Sequence, residues 1–381
     1  MWSVLFYTAF FVLLYSYVGY PLLLGFLSMF QRSRKQTDNQ LPFVTIIIAA
    51  YNEEAVIAKK IANTVASDYP PTQMQIIVAA QGSTDDTAAI AAGFSNVLVL
   101  HSAKRMGKAV ALNEAVAQAK HPVIVVTDAN TLLAPQTIQK LVTQLNQPAT
   151  GAVAGVKKVI DENGVTISGE GFYWQYESWL KQRETDFYTV VGAAGELFAF
   201  KKEYFVPIPA HTITDDFFLS LSINMQAQKV AYAAEAVSTE AASRSLKDEW
   251  NRKLRIAAGG IQSLFLFKKA LNPFRYPLLS FQFFSHRVLR WLFCGPALIV
   301  LLLANAMLVP TTTHSCFKSL LLLQLLFYLF AAIGSVLAVQ KKSFVLFTVP
   351  FYFVFMHAAM MAGLFRYCTT GQSVLWEKAQ R

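Results

Sequence analysis

Apolar residues crowd the two ends of the chain, and between the ends they come in short runs separated by polar stretches. Trp2 to Phe30 is apolar throughout, with Pro21 near its end. Three later stretches, about Val288 to Val309, Leu320 to Val339 and Phe344 to Leu364, each approach the ~20 apolar residues a helix needs to cross a bilayer. The middle reads differently. Phe43 to Ala50, Gln75 to Ala80, Asn96 to Leu100 and Val123 to Thr127 are short apolar runs of the kind that form buried strands. Helix-like stretches lie between them, from Asn52 to about Ser67, beyond Gly82 to Asp86, and from Gly107-Lys108 to Lys120. The alternation predicts an α/β domain with a mostly parallel sheet.

Composition agrees with a mixed architecture. Of 381 residues, 54% are hydrophobic and only 15% are charged, too apolar for an ordinary soluble chain of this length. The first apolar stretch is too long for a signal peptide's core and lacks a basic leader and a small-residue cleavage pattern, so it reads as a retained helix. The expected organisation is a membrane helix at 1–30, an α/β domain at 41–270, an interfacial helix at 275–287 and about three membrane helices at 288–366. Arg275, His286, Arg287 and Arg290 interrupt apolar residues in the interfacial segment, as a helix lying at a bilayer surface requires; the cytosolic flank of the next span is the other reading.

The net charge of +10 fits attraction to anionic lipid and the positive-inside bias. No basic stripe interleaved with aromatics points to nucleic acid, and none is expected as a partner. Gln31 to Lys35 and Lys341-Lys342, placed inside, put the N-terminus outside and the central domain in the cytosol. Arg366 falls on the wrong side of that rule, which leaves the side of the C-terminal tail open. The three cysteines, Cys294, Cys316 and Cys368, have no zinc spacing. They read as packing residues, with a Cys316–Cys368 disulfide left open by their shared side.

Chemistry concentrates where strands end. Ala50 ends the first strand with Tyr51 and Glu53 after it, Gln81 follows the second, and Asp128 the fourth. Ligands of open α/β sheets bind at that edge, so these loops should converge. By residue type alone Asp128 suits either a helix cap or a cation ligand. Asp215 and Asp216 suit either a helix N-terminus or a general base. Asp85 and Asp86 read as helix caps. Gly107-Lys108 starts a helix from which Lys108 can reach phosphate, although the upstream glycine of a P-loop is missing. Arg252 and Arg255, spaced i, i+3, share a helix face and suit a diphosphate, or anionic lipid.

Taken in order, AAYNEE (Ala49 to Glu54), QGSTDDT (Gln81 to Thr87), RMGKAVALNEA (Arg105 to Ala115), VVTDAN (Val125 to Asn130), ITDD (Ile213 to Asp216) and RKLRI (Arg252 to Ile256) resemble the motif series of membrane-anchored glycosyltransferases of family 2. That group has the GT-A fold and includes the cellulose, chitin and hyaluronan synthases. The resemblance covers roughly Phe43 to Ile261.

It implies an inverting transfer from a nucleotide-diphospho-sugar to a lipid-linked or glycan acceptor, for cell-surface or exported polysaccharide, at the plasma or inner membrane. Membrane lipid is a partner on this reading. It also implies Mg2+ or Mn2+ held by Asp128 and Asn130, where Asn130 stands for the family's second acid. Asp216 would be the base, with Asp215 beside it and Arg255 on the departing diphosphate. Ala50, Tyr51, Glu53, Gln81, Lys108, Asp128 and Arg252 would hold the donor. Gln81 replaces an acid that contacts the base, and Arg252 and Ile256 replace the Gln and Trp of a processive synthase. Tyr173, Trp174 and Tyr176 would be candidates for stacking on sugars. The alternatives are single-sugar transfer to a lipid carrier and a non-catalytic subunit of a synthase complex.

Overall fold

The computed structural model describes residues 1–30, 41–160, 168–193, 195–241, 245–340 and 342–375, and the side chains of 168–174 are left aside. The positive runs at 31–35 and Lys341, and the side chains of Tyr173 and Trp174, therefore lie outside the described residues. The chain divides into two compact units. One comprises Met1–Phe30, Ile167–Arg183 and Arg244–Gln372; the other comprises Gln31–Thr166, Glu184–Ser243 and Ser373–Arg381.

The second unit is built on an eight-stranded sheet. Its strands are β1 (Val44–Ala49), β2 (Met74–Ala79), β3 (Val97–Leu100), β4 (Val123–Asp128), β5 (Thr131–Leu133), β6 (Thr150–Ile160), β7 (Leu197–Lys201) and β8 (Lys229–Ala241). The order is β3-β2-β1-β4-β7-β6-β8-β5. The first four strands are mutually parallel, and β7 enters antiparallel to β4. This is the mostly parallel, Rossmann-like sheet expected from the alternation of apolar runs and helices.

The apolar runs become β1, β2 and β4 because both of their faces are covered, which leaves no room for polar alternation. Ile46, Ile48, Ile76, Val78, Val123 and Val125 pack in one core with Ile57 and Ile61 of the helix Glu54–Val65. Register then fixes the active edge. Ala49 lies level with Ala79 on one side and Asp128 on the other. From β1 the strand order runs outward both ways, and that reversal is where an open α/β sheet forms a ligand crevice.

The helix expected directly after Asp128 begins later. Thr131–Leu133 instead pair antiparallel with Ser238–Glu240 of β8, and the helix is Thr137–Leu145. Strands β6, β7 and β8 had no counterpart in the sequence reading.

Among the described residues, the first unit contains four helices long and apolar enough to cross a membrane: Trp2–Ser28, Pro277–Thr311, Ser315–Val339 and Val345–Thr369. The protein is thus a membrane protein with an α/β domain. Residues 277–311 run as one continuous helix, with a π-helical stretch at Phe284–Cys294. The helix Leu246–Leu266 also belongs to this unit. Ser315–Val339 and Val345–Thr369 pack closely at Gly334, where a Cβ would come within 2.2 Å of the Phe347 carbonyl oxygen. Cys294, Cys316 and Cys368 carry free thiols, so the disulfide left open by the sequence is not formed.

Candidate active site

The loops after β1 and β2 are stapled to one another by hydrogen bonds. Asn52, at φ 54°, donates its backbone N–H to Ser83 Oγ at 3.2 Å, and its Oδ1 accepts from the Thr84 N–H at 2.8 Å. The Glu53 N–H donates to Thr87 Oγ1 at 2.7 Å. Asp85 accepts from the Glu54 N–H while Glu54 accepts from the Asp86 N–H, a reciprocal pair across the two loops. Asp85 is held below its ordinary range: burial works the other way, but bonds from Thr87 and the Glu54 N–H outweigh it. Asp85 caps the following helix through the Thr87 N–H, as expected from sequence, and the helix after β1 through the Glu54 N–H, whereas Asp86 makes no side-chain cap bond.

The loop after β3 joins them. The Gly82 N–H donates to Ser102 O at 2.8 Å, and the Arg105 guanidinium lies 3.7 Å from the centre of the Tyr51 ring, a cation–π contact. Gln81 is buried and donates its amide N–H to Glu114 on the helix Lys108–Gln118.

Three acids gather around one lysine. Lys108 opens its helix after Gly107 and donates to Asp128 Oδ1 at 2.7 Å; its Nζ is 3.5 Å from Asp215 Oδ2. Burial works against the lysine's charge, but Asp128, Asp215 and Asp216 together hold Lys108 above its ordinary range. Asp215 and Asp216 form the first turn of the helix Asp215–Asn224, where the helix dipole favours acids.

Asp216 is pushed up to about 7, first by burial and then by Asp215; Lys108 pulls it down and Glu196 pushes it further up. Gly195 packs against it so closely that a Cβ there would lie 3.2 Å from the carboxyl group. Ser220 Oγ donates to the Asp216 carbonyl at 2.7 Å and accepts from the Ala193 N–H at 3.0 Å, tying this loop to the helix.

Asn130 has its own support. Its amide nitrogen donates to Glu240 Oε1 at 3.3 Å, while Oδ1 is buried without a hydrogen-bond partner. Glu240 and Glu196 both pair with the buried Lys157, Glu196 at 2.7 Å. An orphaned amide oxygen beside a carboxylate is a donor set that a hard divalent cation accepts, with the remaining ligands supplied by phosphate and water. Asn130 Oδ1 is of the right type for such an ion, while Asp128 Oδ1 is engaged by Lys108. Among the described residues no group of three or more His, Cys, Asp or Glu side chains is placed to hold a metal ion by itself.

Beneath the turn, Lys60 is fully buried and donates to Thr127 Oγ1 and Thr131 O, each at 2.8 Å. Burial lowers it to about 7, with Asp128 opposing.

Lys108, Asp128, Asp215 and Asp216 are therefore gathered at one place. Arg252 and Arg255 lie on Leu246–Leu266 in the other unit, where Arg252 grips Glu249 with two hydrogen bonds, at 3.0 and 2.8 Å. The sequence reading missed Glu114, Lys157, Glu196, Glu240 and Lys60. Lys60 carried a signal: with Ile57, Ile61 and Thr64 it occupies the buried face of its helix.

The Rossmann-like sheet, with carboxylates gathered around a lysine at its strand ends, has the GT-A fold. Residues 45–207 match the model of Glycosyl transferase family 2, a match that spans less than half of the chain.

The chain is 29% identical over 251 residues to the beta-monoglucosyldiacylglycerol synthase of Nostoc sp., covering 60% of this chain and 51% of the relative. It is 24% identical over 266 residues to a poly-beta-1,6-N-acetyl-D-glucosamine synthase of Staphylococcus aureus, covering 67% of this chain and 64% of the relative. The mannosyltransferase PcManGT from Pyrobaculum calidifontis, solved with GDP-Man and Mn2+, shares the fold with a TM-score of 0.74 at 23% identity. That match covers 98% of this chain and 100% of the other.

Proposed function

We propose that the protein is an inverting glycosyltransferase that moves a sugar from a nucleotide-diphospho-sugar to a lipid-linked or glycan acceptor at the membrane. The observation that carries this is Asp216, a carboxyl group held near neutrality beside Asp215, Lys108 and the close approach of Gly195. A general base works best when it ionises near the operating pH.

The donor lies across the ends of β1, β2 and β4. Ala50, Tyr51 and Glu53 form its floor, and Gln81 offers its amide oxygen to the base while Glu114 takes the amide N–H. Lys108 supplies a fixed positive charge to the diphosphate. Asp128 and Asn130 would hold a divalent cation, Mg2+ or Mn2+. When bound, it supplies charge that offsets the phosphates.

Asp216 accepts the proton of the attacking hydroxyl. The acceptor oxygen bonds to the anomeric carbon as that carbon's bond to the diphosphate breaks, and attack from the opposite face inverts the centre. The charge appearing on the leaving diphosphate falls to Lys108, with Arg255 and Arg252 assigned the same role. Asp215 keeps Lys108 protonated and Asp216 basic.

Ile256, where a processive synthase has Trp, favours transfer of single sugars to a lipid, in line with the glucolipid synthase among the relatives. The polymer synthase among them supports chain extension for exported polysaccharide. The α/β domain faces the cytosol at the plasma or inner membrane on this reading.

Membranes containing the protein, incubated with labelled nucleotide-sugars and Mn2+ or Mg2+, test it. Label entering lipid or polymer, absent with Asp216→Asn, identifies the donor and the product length. No transfer from any donor, with purified complexes of candidate partner subunits also inactive, would sink the catalytic reading in favour of a non-catalytic synthase subunit.

A further inference from the structure

Lys60 lies beneath the strand-end carboxylates and has no part in the proposed chemistry. It is fully buried, as are the two threonines it meets, Thr127 and Thr131. Its ammonium group donates to Thr127 Oγ1 and Thr131 O, each at 2.8 Å, and to Thr131 Oγ1 at 3.4 Å. Every acceptor is a neutral oxygen, and all belong to the turn from Thr127 to Thr131 that carries Asp128 and Asn130.

The hydroxyl groups continue this chain of bonds in one direction. An ammonium group only donates, so Thr127 Oγ1 accepts from Lys60. Thr131 gives its hydroxyl hydrogen to the Asp128 carbonyl at 2.9 Å. The 3.1 Å bond between the two threonines is then donated by Thr127. Hydrogen bonds in series polarise and strengthen one another. The relay runs Lys60, Thr127, Thr131, Asp128, and Asp128 meets Lys108 at 2.7 Å on the open side.

Keeping the turn in the fold does not require a lysine. Asn63, one helical turn further along Glu54–Val65, exchanges two hydrogen bonds with Leu133, at 3.0 and 2.8 Å. Thr131–Leu133 also pair with Ser238–Glu240 of β8. Burying an ammonium group among neutral oxygens, by contrast, costs stability. The cost shows in Lys60 itself, which burial lowers to about 7 against the pull of Asp128. A charge kept in such a place answers to a need other than stability.

We propose that Lys60 is a positioning residue for the transfer reaction. It fixes the Asp128 backbone through Thr127 and Thr131, so that the carboxylate stays aimed at Lys108 and the diphosphate of the donor. The role in transfer rests on the proposed function; the relay itself does not.

The test is a double-mutant cycle on the full chain in detergent. Lys60→Met keeps the length of the side chain and removes its charge and its donors. Thr127→Val keeps the shape of the threonine and breaks the first link. Binding of UDP and of GDP, each with Mn2+, is read by calorimetry without turnover, and kcat is read with the donor that the transfer assay identifies. Lys60→Met should weaken binding of the diphosphate that the wild type takes by about tenfold and lower kcat by roughly as much, as loss of a group one bond removed from a ligand does. The melting temperature should stay within about 4 °C of the wild type. Thr127→Val should cause most of the same loss, and the double variant should be no worse than Lys60→Met alone, because both act on one relay. Thr127→Val serves by itself if Lys60→Met does not elute as a folded protein.

Unchanged affinity and kcat in these variants would overturn the proposal. A lowered melting temperature with intact affinity would do the same, making Lys60 a residue of the fold alone, and so would losses that add in the double variant. Diphosphate binding that weakens as expected in a protein that transfers no sugar would uphold the positioning and count against the proposed function. A wild type that binds neither diphosphate would overturn both.

Discussion

Glu240 accepts the Asn130 amide N–H at 3.3 Å, which turns the other end of that amide, Oδ1, into a buried acceptor without a partner. An amide in a cation site has no charge to hold its orientation, so a fixed partner must do it. Lys157 in turn pins Glu240. Partners of this kind, one bond removed from a metal ligand, typically matter about 10–100-fold to metal affinity. Glu240→Gln should therefore weaken Mn2+ binding by roughly that factor, and Asn130→Ala by no less. Mn2+ paramagnetic resonance with a nucleoside diphosphate present reads this directly, without turnover. Unchanged affinity in both variants would remove Asn130 from the cation site.

Asp216→Asn keeps the shape of the side chain and removes its basicity. Transfer should fall by ~10²–10⁴-fold, the usual worth of a positioned base. Donor affinity, measured by calorimetry, should stay within about threefold. Loss of donor binding would instead make Asp216 a structural residue.

The pH profile should show the same group. Transfer should decline below about 7, where Asp216 takes up its proton. Stability moves the other way. In the unfolded chain an aspartate titrates near 3.9, so between about 4 and 7 the folded state binds the extra proton. Asp216's contribution is therefore fully present below about 4 and is lost as pH rises through about 7. A rate profile flat from pH 5 to 8 would contradict the assignment.

Gly195→Ala would place a methyl group 3.2 Å from the Asp216 carboxyl. The carboxylate must then yield by a few tenths of an ångström. Displaced catalytic groups lose rate steeply, so kcat should drop roughly tenfold or more while the donor KM holds. The melting temperature should move by no more than about 4 °C. A variant with normal kcat would show that the close approach has no catalytic consequence.

Glu114 engages the Gln81 amide N–H, leaving the amide oxygen for the donor base. Glu114→Ala should raise the donor KM by roughly tenfold, equivalent to about 1.4 kcal/mol, with little change in kcat. Equal loss with donors of every base would mean that Gln81 does not read the base.

The strand-end carboxylates were legible because β1, β2 and β4 are buried on both faces. Unbroken apolar runs then stop abruptly at AAYNEE, QGSTDDT and VVTDAN. The other half of the sheet was not legible. β6 mixes glycine and alanine with valine and β8 is alanine-rich, so neither a period of two nor a period of 3.6 stands out. Lys157, Glu196 and Glu240 meet only because β6, β7 and β8 pair, and no spacing along the chain announces such a meeting. Lys60 was readable in principle, as a lysine on an otherwise buried helical stripe. The start of the helix at Thr137 was misread because β5 is held by Ser238 to Glu240, far away in sequence.

Gly334 bears on how the protein is made. Its missing side chain lets the backbone of Ser315–Val339 touch that of Val345–Thr369, and small residues at such crossings hold helices together where lipid offers no hydrophobic drive to do so. The two helices thus hold together by backbone contact at Gly334, and any larger residue there would have to pry them apart. A chain stopped after Val339 would leave the Gly334 face without the Phe347 and Phe351 surface that covers it.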